Sequence, residues 1–117
     1  NLMYIPERGD IVRICLNPVV GNEIQGEQRP VLVISPKRFN QYGLILVCPI
    51  TQGEASISRK GGFYVSLMGY GLDTLGGVVA NQSGTLDWRN RAIKKVETAP
   101  IELVQEVQDI ITAIVND

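Results

Sequence analysis

Up to about residue 100 the chain carries its apolar residues in short, β-branched or alternating stretches separated by glycine, proline and small polar residues. Residues 10–16, DIVRICL, set Ile11, Arg13 and Cys15 against Val12, Ile14 and Leu16 and predict a first strand. A polar loop over 17–29 follows. Pro30 then opens PVLVIS, a run suited to a strand buried on both faces, which Ser35-Pro36 ends because proline has no N–H for a ladder. KRFNQYG predicts a short turn or helical wind closing at Gly43. LILVCPIT predicts a third strand with a bulge or bend at Pro49. Residues 53–62 read as a loop leading into the strand FYVSL. After the glycine-bearing turn MGYGLDTLGG, VVANQSGTL predicts a further strand that turns polar at its end. RAIKKVE predicts a last strand with two solvent lysines.

Helical period appears only afterwards. Leu103, Val104, Val107, Ile110, Ile111 and Ile114 fall on one face, with Glu102, Glu106 and Asp109 opposite. Pro100 is expected at the first helical position and Thr98 as its cap. Short strands followed by one amphipathic helix predict a mainly β (α+β) fold: a small, strongly bent antiparallel sheet or barrel with the helix packed against it. With 117 residues and no internal repeat or linker, the expectation is one domain over residues 3–117, Asn1 and Leu2 being set aside. No apolar run approaches the roughly 18–20 residues of a spanning helix and no signal peptide is read, so a cytoplasmic protein without a membrane role is expected.

Composition narrows the chemistry. There is no histidine, which removes the commonest metal ligand and the side chain that titrates near neutrality. Cys15 and Cys48 sit inside apolar runs and read as core residues rather than as a disulfide or a nucleophile. The net charge of −1 conceals a segregation: Arg89, Arg91, Lys94 and Lys95 lie close together, whereas residues after Val96 include Glu97, Glu102, Glu106, Asp109 and Asp117 and no Lys or Arg. That basic stretch suits a phosphate backbone or, equally, a solvated strand edge.

Polar residues at strand ends are where a rigid sheet presents chemistry. Three groups stand out: Glu23, Gln28 and Arg29 in the first loop; Thr51 and Gln52 after the third strand; and Asn81, Gln82, Ser83, Asp87, Trp88 and Arg89 in NQSGTLDWRNR. No P-loop or dinucleotide spacing is present. Arginine, amides and hydroxyls suit the gripping of phosphate and base edges, and Trp88 beside Arg89 suits base stacking. RNA brings its own nucleophile, the 2′-OH, so such a set suffices to orient it: Arg29 and Thr51 on the phosphate, Glu23 accepting a proton or holding the arginine. Each residue also has a plainer reading. Arg29 can be solvated, Thr51 at home in a strand end, Trp88 a core or dimer anchor, and Asp87 a turn residue.

The stretches RGDIVRI, GNEIQGEQRPVLVIS followed by FN, VCPIT and NQSGTLDWRNR, in this order, resemble the MazF/PemK family of toxin endoribonucleases from toxin–antitoxin pairs. The resemblance implies an SH3-like barrel with a C-terminal helix, a homodimer, and cleavage of single-stranded RNA that needs no cofactor or metal. It also implies inhibition by a cognate antitoxin, with operator DNA bound only through the antitoxin complex. Carried onto this chain, the catalytic residues are Arg29, Thr51 and Glu23. The RNA-binding groove is lined by Gln28, Asn40, Gln52, Gln82, Ser83, Asp87, Trp88 and Arg89.

Members of the PemK type have a histidine where this chain has Asn22, an arginine at Val79 and an aspartate at Asn81. The site is therefore closer to the MazF type, which works with the loop arginine and the threonine. Two other classes share the architecture: a gyrase-poisoning toxin of the CcdB type, whose tryptophan-containing end is absent from ITAIVND, and a nuclease-dead partner of an antitoxin.

Overall fold

A computed structural model describes residues 3–16, 28–53 and 61–117. Strands β1 (Asp10–Cys15), β2 (Gln28–Val33), β3 (Leu44–Thr51), β4 (Tyr64–Ser66), β5 (Gly77–Val79), β6 (Gly84–Asp87) and β7 (Lys94–Thr98) are joined by a short helix α1 (Lys37–Asn40) and a 3-10 turn (Ala80–Gln82). The helix α2 (Ile101–Asn116) follows β7. The strands form one antiparallel sheet in the order β4-β5-β3-β2-β1-β7, with β6 also on β3. Its ends, β4 and β7, do not pair with each other. The expected bent sheet with a C-terminal helix is therefore present, but the sheet is not closed into a barrel.

Strand alternation sorts the core into two layers. Ile11 of β1, Leu32 of β2, and Cys48 and Ile50 of β3 point to one face, where Leu103, Val104 and Val107 of α2 cover them. Val12 and Ile14, Val31 and Val33, and Ile45 and Val47 point to the other, beneath Trp88, Tyr4, Ile5, Leu86 and Ile93. Each such side chain contributes about 1.5–3 kcal/mol on burial. Both cysteines are buried, and burial pushes the Cys48 thiol up to about 12, which leaves it inert at neutral pH.

Several boundaries depart from the sequence reading. β2 begins at Gln28, two residues before Pro30, because Cys15 and Ile14 of β1 pair with Gln28 and Arg29. The stretch VVANQSGTL is two strands: Ala80–Gln82 winds into a 3-10 turn between β5 and β6, which pair with different parts of β3. Pro49 makes no bulge. The in–out alternation runs through it, since Ile45 and Val47 face one layer and Cys48 and Ile50 the other. β3 pairs with β6 up to Val47 and with β5 from Ile50, so Pro49 lies where the strand changes partner and a missing N–H is tolerated. At α2, Pro100 is the N-cap with extended backbone rather than the first helical residue. Thr98 belongs to β7 and does not cap the helix.

The irregularity that does occur is in β7. Ile11 is opposite Glu97 but Val12 is opposite Lys95, leaving Val96 as the extra residue of a β-bulge. The bulge sends two nearby charges to opposite faces. Lys95 turns toward the Trp88 layer and pairs with the buried Asp10 at 3.4 Å, while Glu97 turns toward the helix layer.

Candidate functional site

β2 and β3 are in register at Val31↔Pro49, Leu32↔Cys48 and Val33↔Val47. Carried two residues further, that register sets Arg29 across from Thr51, with both on the face opposite α2. The loop arginine and the strand-end hydroxyl, far apart in sequence, thus reach the same rim of the sheet. Arg29 is exposed and is held on its other side by pairing with Ile14. Thr51 is half-buried, and its Oγ1 accepts the Gly53 N–H at 3.0 Å. Acting as acceptor in that bond, the hydroxyl keeps its own proton for donation.

A close backbone approach fixes Thr51 from behind. Thr51 is opposite Gly77 in β5, and a Cβ on the neighbouring Gly76, whose φ is +105°, would lie 2.2 Å from the Thr51 carbonyl oxygen. Only glycine fits there. The GG doublet of MGYGLDTLGG is the sequence signal for this constraint, which the sequence reading took for a simple turn.

Gln52, the next residue, is exposed and lines a cavity of about 780 Å³ together with Tyr64, Ser66, Leu67, Leu72, Thr74 and Leu75. Gln82 and Ser83 are exposed where the 3-10 turn meets β6. Asn81 is exposed in the same turn, whereas Val79 is buried in β5, in the core rather than on the rim. Glu23 and Asn22 lie outside the described residues, as does most of the 53–62 loop.

Four of the proposed RNA contacts have structural work instead. Asn40 is completely buried. Its Nδ2 donates to the carbonyls of Pro6 (2.7 Å) and Ser35 (2.9 Å), and its Oδ1 accepts the Ser35 hydroxyl at 2.5 Å, so it cannot line a groove. Trp88 is 3% exposed and its Nε1 donates to the Asn40 carbonyl at 2.8 Å. Its ring is core, so it offers no free face for a base. Gln28 spends its amide on the Ala92 carbonyl at 2.7 Å, steadying a turn in which Ala92 has the positive φ of 52°. Asp87 accepts the Arg89 N–H (3.2 Å) and the Asn90 side chain (2.9 Å), which makes it the turn residue of the plainer reading.

Arg89 lies over the outer side of the Trp88 ring, 5.1 Å from its centre, and donates to the Gln41 carbonyl at 2.5 Å. It remains exposed, but Arg91 is half-buried and donates to the Leu16 carbonyl. With Lys95 on Asp10, the basic stretch is largely spoken for by the fold. The sequence reading also missed the Tyr4 phenol, which donates to Asp10 at 2.5 Å and is held well above the usual tyrosine range by burial and then by that carboxylate.

An open bent sheet with one covering helix, carrying a cation and a hydroxyl at the adjoining ends of two inner strands, defines a small α+β protein. The chain belongs to the family of PemK-like, MazF-like toxins of type II toxin–antitoxin systems, whose model matches residues 7–115. It is 42% identical over 110 residues to the endoribonuclease toxin ChpB of Escherichia coli, covering 94% of each chain. It is 41% identical to the endoribonuclease PemK of the same organism, over 86% of this chain and 75% of that one. In the crystal structure of MazE–MazF from Deinococcus radiodurans, a chain 32% identical superposes with a TM-score of 0.82, over 97% of this chain and 98% of that one.

Proposed function

We propose that this chain is the endoribonuclease toxin of a toxin–antitoxin pair and cuts single-stranded RNA by attack of the substrate's own 2′-OH, without a metal ion. The observation that carries the reading is the shared rim of Arg29 and Thr51. A phosphodiester laid along that rim meets a guanidinium and a hydroxyl donor at its non-bridging oxygens, where charge builds as phosphorus becomes five-coordinate. The 2′-oxygen forms the new P–O bond and the P–O5′ bond breaks. The 2′-OH proton passes to the Glu23 carboxylate, or to water where Glu23 instead holds the arginine, and the departing 5′ oxygen takes a proton from water. The products are a 2′,3′-cyclic phosphate and a 5′-hydroxyl. Arg29 cannot serve as the base, because a guanidinium keeps its proton at any ordinary pH.

Gln52, beside Thr51, and Gln82 and Ser83 are exposed groups left to contact bases and backbone, with Arg89 beyond the other end of β3 for a more distant part of the RNA. A cognate antitoxin that covers this edge would inhibit the enzyme, a reading supported by the antitoxin complex solved for the Deinococcus relative. A homodimer, operator binding through the antitoxin complex and a cytoplasmic location complete the proposal. Among the described residues no helix is long and apolar enough to cross a membrane.

The test is cleavage of a long RNA in EDTA with analysis of the new ends. Wild type is expected to leave 5′-hydroxyls, Arg29→Ala to lose cleavage, and Thr51→Val to slow it about 10- to 1000-fold. Undiminished cutting by Arg29→Ala overturns its role. Intact RNA with trapped gyrase–DNA complexes would favour the CcdB-type function instead.

A further inference from the structure

Glu97 is the acidic residue that the β7 bulge turns toward the helix layer, and it meets the turn between β4 and β5 there. Its Oε1 accepts the Asp73 N–H at 3.1 Å; its Oε2 accepts the Thr74 N–H at 2.8 Å and the Thr74 hydroxyl at 2.5 Å. One carboxylate thus collects three donors from two consecutive residues. The turn is also anchored by Leu67 and Leu72, which pack on the helix-side core. Its residues Leu67, Leu72, Thr74, Leu75 and Gly76 form one wall of the cavity that Gln52 lines.

Gln52 follows Thr51 directly, so the cavity adjoins the strand end proposed to hold the scissile phosphate, with its leucine wall on the helix side and Arg29 and Thr51 on the other. Apolar and aromatic walls from Tyr64, Leu67, Leu72 and Leu75, with the Gln52 amide at the edge, suit a planar base carrying hydrogen-bonding groups. The position of that wall relative to Gln52 depends on where the 73–74 segment is held. Glu97 holds it from a different strand, on the far edge of the sheet. A β-bulge that re-aims a side chain toward a site is a known use of such irregularities.

We propose that Glu97 is a positioning residue for substrate selection: by clamping Asp73 and Thr74 it sets the wall opposite Gln52, and so decides which nucleobase beside the cut phosphate is accepted. This rests on the endoribonuclease reading. Glu97 touches no reacting atom, so its loss acts on binding and on the choice of cut site, not on the chemical step. Removing a charge-assisted clamp of this kind is worth about tenfold in KM, with kcat held within about twofold.

The experiment compares wild type, Glu97→Gln, Glu97→Ala and Thr74→Val by amide hydrogen exchange without RNA, then by steady-state cleavage and a map of cut sites on a long RNA. Faster exchange at residues 73–74, a rise in KM and a broadened set of cut sites are expected. The effect should be largest in Glu97→Ala, intermediate in Glu97→Gln, which keeps one amide oxygen as acceptor, and smallest in Thr74→Val. Unchanged exchange in Glu97→Ala overturns the clamp. Faster exchange with the wild-type KM and cut map overturns the role in selection, as does a fall in kcat alone. If wild type exchanges as expected but cuts no RNA, the endoribonuclease reading fails while the exchange data still report on the clamp.

Discussion

The two faces of the sheet are closed by different means. On one, a regular amphipathic helix lays Leu103, Val104 and Val107 on Ile11, Leu32, Cys48 and Ile50, and the seal is apolar contact. On the other, the cover is irregular chain: the segment around Tyr4 and Ile5 and the turn bearing Trp88, held by hydrogen bonds to Asn40 and Asp10. Contact energy falls gradually as atoms are removed, whereas a buried polar pin costs its full desolvation once a partner is lost. The candidate site lies on the pinned face but at the other end of the strands: Arg29 and Thr51 stand at the Ile14 end, whereas Asn40 and Trp88 stand by Leu44 and Leu46.

The comparison can be broken from either side. Leu103→Ala should cost about 2–5 kcal/mol in urea unfolding through the cavity left under α2. Asn40→Ala should cost nearly as much, about 2–4 kcal/mol, since it removes three side-chain bonds and strands the Pro6 carbonyl in the interior. Both should spare RNA cleavage at temperatures where the fold holds, since Leu103 and Asn40 are buried away from the Arg29–Thr51 rim. Trp88→Phe keeps a ring in the core and removes one of the two bonds to the Asn40 carbonyl, which retains the Gly43 N–H, for about 1 kcal/mol, with RNA affinity unchanged. A large loss of affinity in that variant, at equal stability, would return the ring to the RNA groove.

Acid gives the smallest and most local effect. Burial works against the charged form of Glu97, but the Thr74 hydroxyl and the Asp73 and Thr74 amides outweigh it and hold the carboxyl below 4.5. A folded-state value below the unfolded one means a stabilising contribution fully present above pH 4.5. That contribution is lost as the pH falls through the folded value. Amide exchange at residues 73–74 should therefore stay slow at pH 5–7, after correction for intrinsic rates, and quicken only on further acidification.

The same division explains what the chain's pattern revealed. Period 2 in β1, β2 and β3 and period 3.6 in α2 are written in apolar residues, and both core layers and the helix follow from them. The Arg29–Thr51 pair was legible because each ends or borders an apolar run, and their common register then brings them together. Asn40, Trp88, Gln28 and Asp87 misled because polar and aromatic residues look alike whether they serve a ligand or a neighbouring carbonyl. Most of their partners, the carbonyls of Pro6, Ser35, Ala92 and Asn40 and the Arg89 N–H, are main-chain groups common to nearly every residue type. Glu97 was read as part of an acidic tail because its orientation depends on the extra residue at Val96, and a one-residue slip in pairing is invisible in a pattern of apolar positions.

Pro49 has a mechanical meaning as well. Because β3 leaves β6 before it and joins β5 after it, the proline is a seam between two zippers that share one strand. The β4–β5 hairpin is zipped to β3 only beyond that seam, at Ile50 and Thr51, while Val65, Leu67 and Val78 seat it in the helix-side core. The wall beside the rim is therefore held less by its two-residue ladder to β3 than by apolar packing under α2 and by the Glu97 bonds from β7.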